Sequence, residues 1–97
     1  MKLVVVPPAL AELHDVAALY AARANVELGL AFTAEFERTA NLLLTNPLLG
    51  AIFRGTRRRL SLRRFPYSVI YQITSEELRV VAVAHHRRRP GYWANRK

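Results

Sequence analysis

The sequence predicts an α+β domain: a short N-terminal strand, an antiparallel helical hairpin and a three-stranded antiparallel β-meander. Two observations lead there. Apolar residues recur every three or four positions from residue 9 to residue 44, and every second position from residue 57 onward. Prolines at 7–8, 47 and 66 fall between these periodic stretches, where each would end or turn an element.

Each element has its own justification. Leu3-Val4-Val5-Val6 is a β-branched run that stops at Pro7-Pro8, as a first strand would. Pro8 suits a first helical turn, where its missing N–H costs nothing. From Ala9 the spacing is helical, with Leu10, Leu13, Ala17, Tyr20 and Ala24 assigned to one face. Asn25 reads as a break or cap, and a second helix follows over Val26–Leu44 with the stripe Leu28, Phe32, Phe36, Thr39 and Leu43. Gly29 inside it costs near 1 kcal/mol relative to Ala, which weakens that boundary. Two amphipathic helices with a short joint make a hairpin.

Leu48–Thr56 reads as a linker, after which Arg57–Leu62 alternates with Leu60 and Leu62 on one side and Arg57, Arg59, Ser61 and Arg63 on the other. Phe65-Pro66 turns the chain into Tyr67–Ile73, a strand with Tyr67, Val69, Tyr71 and Ile73 on one face. Thr74–Glu77 is a hairpin loop, and Leu78–His85 returns. The chain is one domain, 1–97, and 52% hydrophobic against 23% charged residues is enough to form a core.

Charge is the functional signal. Residues 49–97 hold twelve Arg or Lys against two acids, whereas residues 1–48 hold three against five, and the net charge is +8. The arginines cluster at Arg57-Arg58-Arg59, Arg63-Arg64 and Arg87-Arg88-Arg89, each beside a strand. Such a surface attracts polyanions or an acidic protein. With Tyr67, Tyr71, Tyr92 and Trp93 interleaved, it also matches a phosphate-binding, base-stacking surface, although Tyr67 and Tyr71 read first as core. A solvated, edge-protecting face is the plainer alternative.

With no cysteines, disulfides, thiolate nucleophiles and Cys-based zinc sites are excluded, which fits a reducing compartment. The four apolar residues after Met1-Lys2 are too few for a signal segment or a membrane span, so a cytoplasmic location and no membrane partner are expected. His85 and His86 are adjacent on a strand and face opposite sides, so they do not readily chelate one ion. His14 has no ligand companions at suitable spacing, and neither metal nor cofactor is expected.

The string from Arg58 to Ile73, with Leu60, Leu62, Tyr67, Val69, Tyr71 and Gln72, resembles the strand pair of the RelE/ParE toxins. Arg79–Arg88, a valine-rich strand leaving through His85-His86-Arg87-Arg88, is similar to that superfamily's last strand and basic exit. The likeness extends over the helical hairpin. It implies a small toxin of a type II toxin–antitoxin module, of the ParE-like plasmid-stabilisation kind. It would be neutralised by a cognate antitoxin with an acidic, partly disordered segment. The superfamily divides into ParE-like members, which poison DNA gyrase, and RelE-like members, which cleave mRNA on the ribosome.

The nuclease branch requires strand cations, an exit arginine and an aromatic, and Arg59, Arg63, Arg87 and Tyr92 occupy those places here. Ser61 stands where a strand lysine is expected and Ser68 where an arginine is expected, and serine cannot hold a phosphate by charge. The reading preferred is therefore gyrase inhibition through a binding surface of Arg57, Arg58, Arg59, Arg63, Arg64, Arg87, Arg88, Arg89, Tyr92 and Trp93. The alternatives are a ribosome-dependent mRNA endoribonuclease, a non-toxic antitoxin-binding scaffold and a plain nucleic-acid-binding module.

Overall fold

The computed structural model describes all 97 residues. The elements run β1 (Lys2–Val5), α1 (Pro7–Arg23), α2 (Val26–Thr45), β2 (Ala51–Ile52), β3 (Arg57–Ser61), β4 (Tyr67–Ile73) and β5 (Glu77–His85). All five strands belong to one sheet in the order β1-β5-β4-β3-β2. The expected α+β class and meander are present, and the sheet is larger at both ends. β1 does not stand apart but pairs parallel with β5, Leu3 opposite Leu78 and Val5 opposite Val80. The expected linker contains β2, which pairs antiparallel with β3. Two residues are too few to display a period, so the strand was not visible in the sequence.

One face of the sheet carries the hairpin. Tyr67, Val69, Tyr71 and Ile73 of β4 share that face with Leu78, Val80, Val83 and His85 of β5. Phe32 of α2 meets Phe65 and Tyr67 edge-on at 5.1 and 5.3 Å, and Tyr20 of α1 completes the cluster. Each such pair contributes about 0.5–1.5 kcal/mol beyond its burial. The stripe expected on α2 is the inward one, and on α1 Leu13, Ala17 and Tyr20 face the core as expected while the ends of the stripe do not. Ala9 and Leu13 are the buried residues of α1, while Leu10 is 41% exposed.

Asn25 does cap α2, its side chain accepting the Leu28 N–H at 2.7 Å. Gly29 lies where the helices cross. A Cβ there would sit 2.6 Å from the Ala17 carbonyl oxygen and 3.0 Å from the Ala21 Cβ. Glycine therefore belongs inside this helix because only a bare backbone permits the approach. No helix is long and apolar enough to cross a membrane.

The β4–β5 ladder is shifted by one residue. Ile70 faces Ala82 but Tyr71 faces Val80, so Val81 is the extra residue of a bulge. The Val81 carbonyl accepts from the Arg96 guanidinium at 3.1 Å. Close by, Val83 N–H donates to the Glu12 carboxylate at 3.1 Å.

A basic pocket on the second face of the sheet

Strand alternation decides which arginines can work together. The face opposite the hairpin carries Arg57, Arg59 and Ser61 from β3, paired across with Gln72, Ile70 and Ser68 of β4. After His85 the chain turns back over this face. Trp93 packs there at 2% exposure, its ring 5.9 Å from that of Phe53. The expectation that Trp93 presents a partner surface is corrected by this burial, because most of its indole is part of the core.

Arg57 is also committed to the interior. Its Nε donates to Gln72 at 2.8 Å, its Nη2 donates to the Arg96 carbonyl at 2.7 Å, and the guanidinium lies 5.6 Å from the Trp93 ring centre. Burial lowers its pKa, and Nη1 is buried without a partner. Arg58 points to the other side, donating to the Gly50 carbonyl at 2.7 Å. The Tyr71 hydroxyl accepts the Gly50 N–H at 2.9 Å and donates to the Pro47 carbonyl at 2.7 Å, fixing the same connection. Arg57 and Arg58 thus hold the chain's own backbone rather than presenting charge to a ligand.

The remaining arginines divide into two places. Arg63 and Arg64 lie at the β3–β4 turn beside α2, where the Arg63 N–H donates to Glu35 at 2.7 Å and Arg64 adopts a φ of 71°. Arg38 is the chief cause of a lowered pKa for the Glu35 carboxyl, with that Arg63 N–H assisting. Arg59, Arg88 and Arg89 instead line a cavity of about 50 Å³ on the second face, with Ser68, His86 and Tyr92. Arg87 is exposed and does not line it. Of Arg59, Arg63, Arg87 and Tyr92, the pocket therefore gathers only Arg59 and Tyr92.

Tyr92 is not free within it. Its hydroxyl donates to Glu12 of α1 at 2.7 Å, and burial, followed by this contact, pushes its pKa up. Glu12 also accepts from Arg96 at 2.7 Å, so one carboxylate ties the C-terminal segment to α1 and β5. Arg88 stacks 4.0 Å from the Tyr92 ring centre.

Sequence reasoning passed over two residues here. Ser68 reads there as a lost cation and His86 only as unfit to share a metal with His85, and neither is placed in the binding surface. In the structure His86 Nε2 lies 3.0 Å from Ser68 Oγ, which in turn lies 3.3 Å from Ser61 Oγ. The signal was in the strand parity: Tyr67 pairs with His85, so the residue that follows β5 returns to the Ser68 side. His85 takes the opposite side, edge-on to Tyr67 at 4.9 Å. No group of three or more His, Asp or Glu side chains is placed to hold a metal ion.

Residues 3–90 match the family model described as the ParE toxin of the type II toxin–antitoxin system parDE. A search of curated proteins finds no match. Among solved structures, one described as the chromosomal ParDE TA system from P. aeruginosa is similar in fold. It has a TM-score of 0.78 and 20% identity, over 88% of this chain and 95% of that one. The family match runs from β1 through all five strands to the arginines that line the pocket, and on that ground the chain belongs to the ParE toxin family of type II toxin–antitoxin systems.

Proposed function

We propose that this chain is the toxin of its module, that it inhibits DNA gyrase, and that an antitoxin with an acidic, extended segment neutralises it. The observation carrying the reading is the number of cations left without a partner. Ion pairs occur at Arg38, Arg79 and Arg96 only. Arg59, Arg63, Arg64, Arg87, Arg88 and Arg89 are exposed and unpaired. An acidic segment laid across them would relieve the self-repulsion of a +8 domain and raise its stability by linkage.

A binding role rather than catalysis is supported by the scatter of the four residues a nuclease would draw on. Arg63 and Arg87 lie outside the pocket, and the Tyr92 proton is engaged by Glu12. The test is induced expression in a bacterium without the antitoxin. Growth arrest with a DNA-damage response and intact ribosome-bound mRNA is expected. Cuts within the A-site codon would overturn this reading in favour of the endoribonuclease, and normal growth with antitoxin binding retained would favour the scaffold.

A further inference from the structure

The pocket on the second face is built for a ligand more specific than an acidic surface requires. Three arginines line it from two elements: Arg59 from β3, and Arg88 and Arg89 from the chain beyond β5. No carboxylate lines it, and none of the three arginines is in an ion pair. Two of them are held in place by their own aromatic supports, Arg59 at 4.5 Å from the Phe53 ring centre and Arg88 at 4.0 Å from that of Tyr92. A stacked guanidinium keeps its in-plane N–H groups available to an anion and loses little freedom on binding.

Beside these cations the lining includes polar groups. Ser68 is 2% exposed, and its hydroxyl sits between His86 and Ser61. A hydroxyl has one proton and two lone pairs, so this short chain of groups can direct one donor at a bound oxygen.

Size and charge narrow the ligand. The cavity is small, about 50 Å³, so it can seat one anionic group of a ligand whose remainder stays outside. A carboxylate is planar and singly charged, and one guanidinium fork satisfies it. A phosphate monoester presents three oxygens in three directions and carries close to two charges at neutral pH, its second pKa being near 6. Three guanidiniums supplied from two sides, β3 and the chain beyond β5, match the second shape.

We infer that this pocket binds a terminal phosphate group, the phosphomonoester of a nucleotide or of a nucleic-acid strand end, through Arg59, Arg88, Arg89 and Ser68. The inference rests on the pocket alone and does not depend on gyrase being the target.

The chain has a single tryptophan, Trp93, and it lines the pocket, so intrinsic fluorescence reports occupancy. The purified protein is titrated at about 0.15 M salt, which suppresses diffuse surface attraction. The probes are inorganic phosphate, a nucleoside 5′-monophosphate, and one single-stranded oligonucleotide with a phosphate or a hydroxyl at its 5′ end. The phosphorylated strand is expected to bind about ten-fold more tightly than the hydroxyl-ended one, the effect of one added charge-assisted contact.

Arg59→Gln and Ser68→Ala should each abolish that preference, while Arg23→Gln, which removes an equal charge from the exposed surface of α1, should retain it. Ser68→Ala changes no charge and little volume, so it keeps the test valid if Arg59→Gln unfolds. Equal binding of monophosphate and phosphorylated strand assigns the bare phosphate as the ligand, and tighter strand binding assigns the strand end. Identical affinity for the two strand ends, a preference that survives both pocket substitutions, or no saturable signal below about 1 mM for any probe would overturn the inference.

Discussion

Replacing Glu12 by Ala removes the one side chain that joins α1, the β5 bulge and the C-terminal segment. Its carboxylate accepts from Tyr92 Oη at 2.7 Å, Arg96 Nη1 at 2.7 Å, Arg96 Nη2 at 3.2 Å and Val83 N–H at 3.1 Å. A hydrogen bond to a charged group contributes about 1.5–3 kcal/mol, and removing one partner of a fully buried pair costs about 3–5 kcal/mol. Glu12 and Arg96 retain 19% and 21% exposure, so solvent recovers part of that loss. About 2–4 kcal/mol is the reasonable range, or roughly 10–25 °C in Tm for a domain of this size.

The measurement is thermal unfolding at neutral pH, followed by circular dichroism and by Trp93 emission. Trp93 should report the damage before global unfolding, because the segment that carries it loses its tie to α1. Glu12→Gln, which keeps an acceptor but no charge, should fall between. A Tm within about 4 °C of the parent, with unchanged Trp93 emission, would refute the reasoning.

Other substitutions test other joints. Gly29→Ala gains near 1 kcal/mol in helix propensity but places a Cβ 2.6 Å from the Ala17 oxygen, so urea unfolding should show a net loss of about 1–3 kcal/mol. Tyr71→Phe strands the Gly50 N–H and the Pro47 carbonyl and should cost about 1–3 kcal/mol in the same assay. The pKa of Glu35 is lowered from its ordinary 4.5, so the folded protein binds that proton less readily than the unfolded chain. Its contribution is then present above pH 4.5 and lost as the pH falls through the lowered value. Glu35→Gln should flatten the acid limb of the stability–pH curve, and an unchanged slope would count against the Arg38–Glu35 contact.

What the sequence made legible follows the strength of its periods. The α2 stripe, the three meander strands and the opposite facing of His85 and His86 could be read, because each rests on a repeat of several residues or on simple parity. β2 could not, since two residues have no period, and its pairing depends on β3 being in place. The parallel docking of β1 on β5 is a contact some 75 residues apart, which no local pattern encodes. At the start of α1 it is Ala9 and not Leu10 that faces inward, and alanine's small size gave no sign of it.

For the site, residue type misled where topology decides. Arg57 and Trp93 look like contact residues, yet Arg57 is held by internal hydrogen bonds and Trp93 is mostly buried, whereas Ser68 and His86 look inert and line the pocket with Arg59. Clusters contiguous in sequence were separated in space: Arg57, Arg58 and Arg59 serve three different surroundings.

The most direct test of the toxin reading is gyrase supercoiling of relaxed plasmid with the purified protein, alone and after incubation with an acidic antitoxin partner. The account expects supercoiling to fall with added toxin and to return when the partner is present in equal amount. Undiminished supercoiling at toxin in large excess, together with mRNA cleavage in a parallel translation reaction, would contradict it.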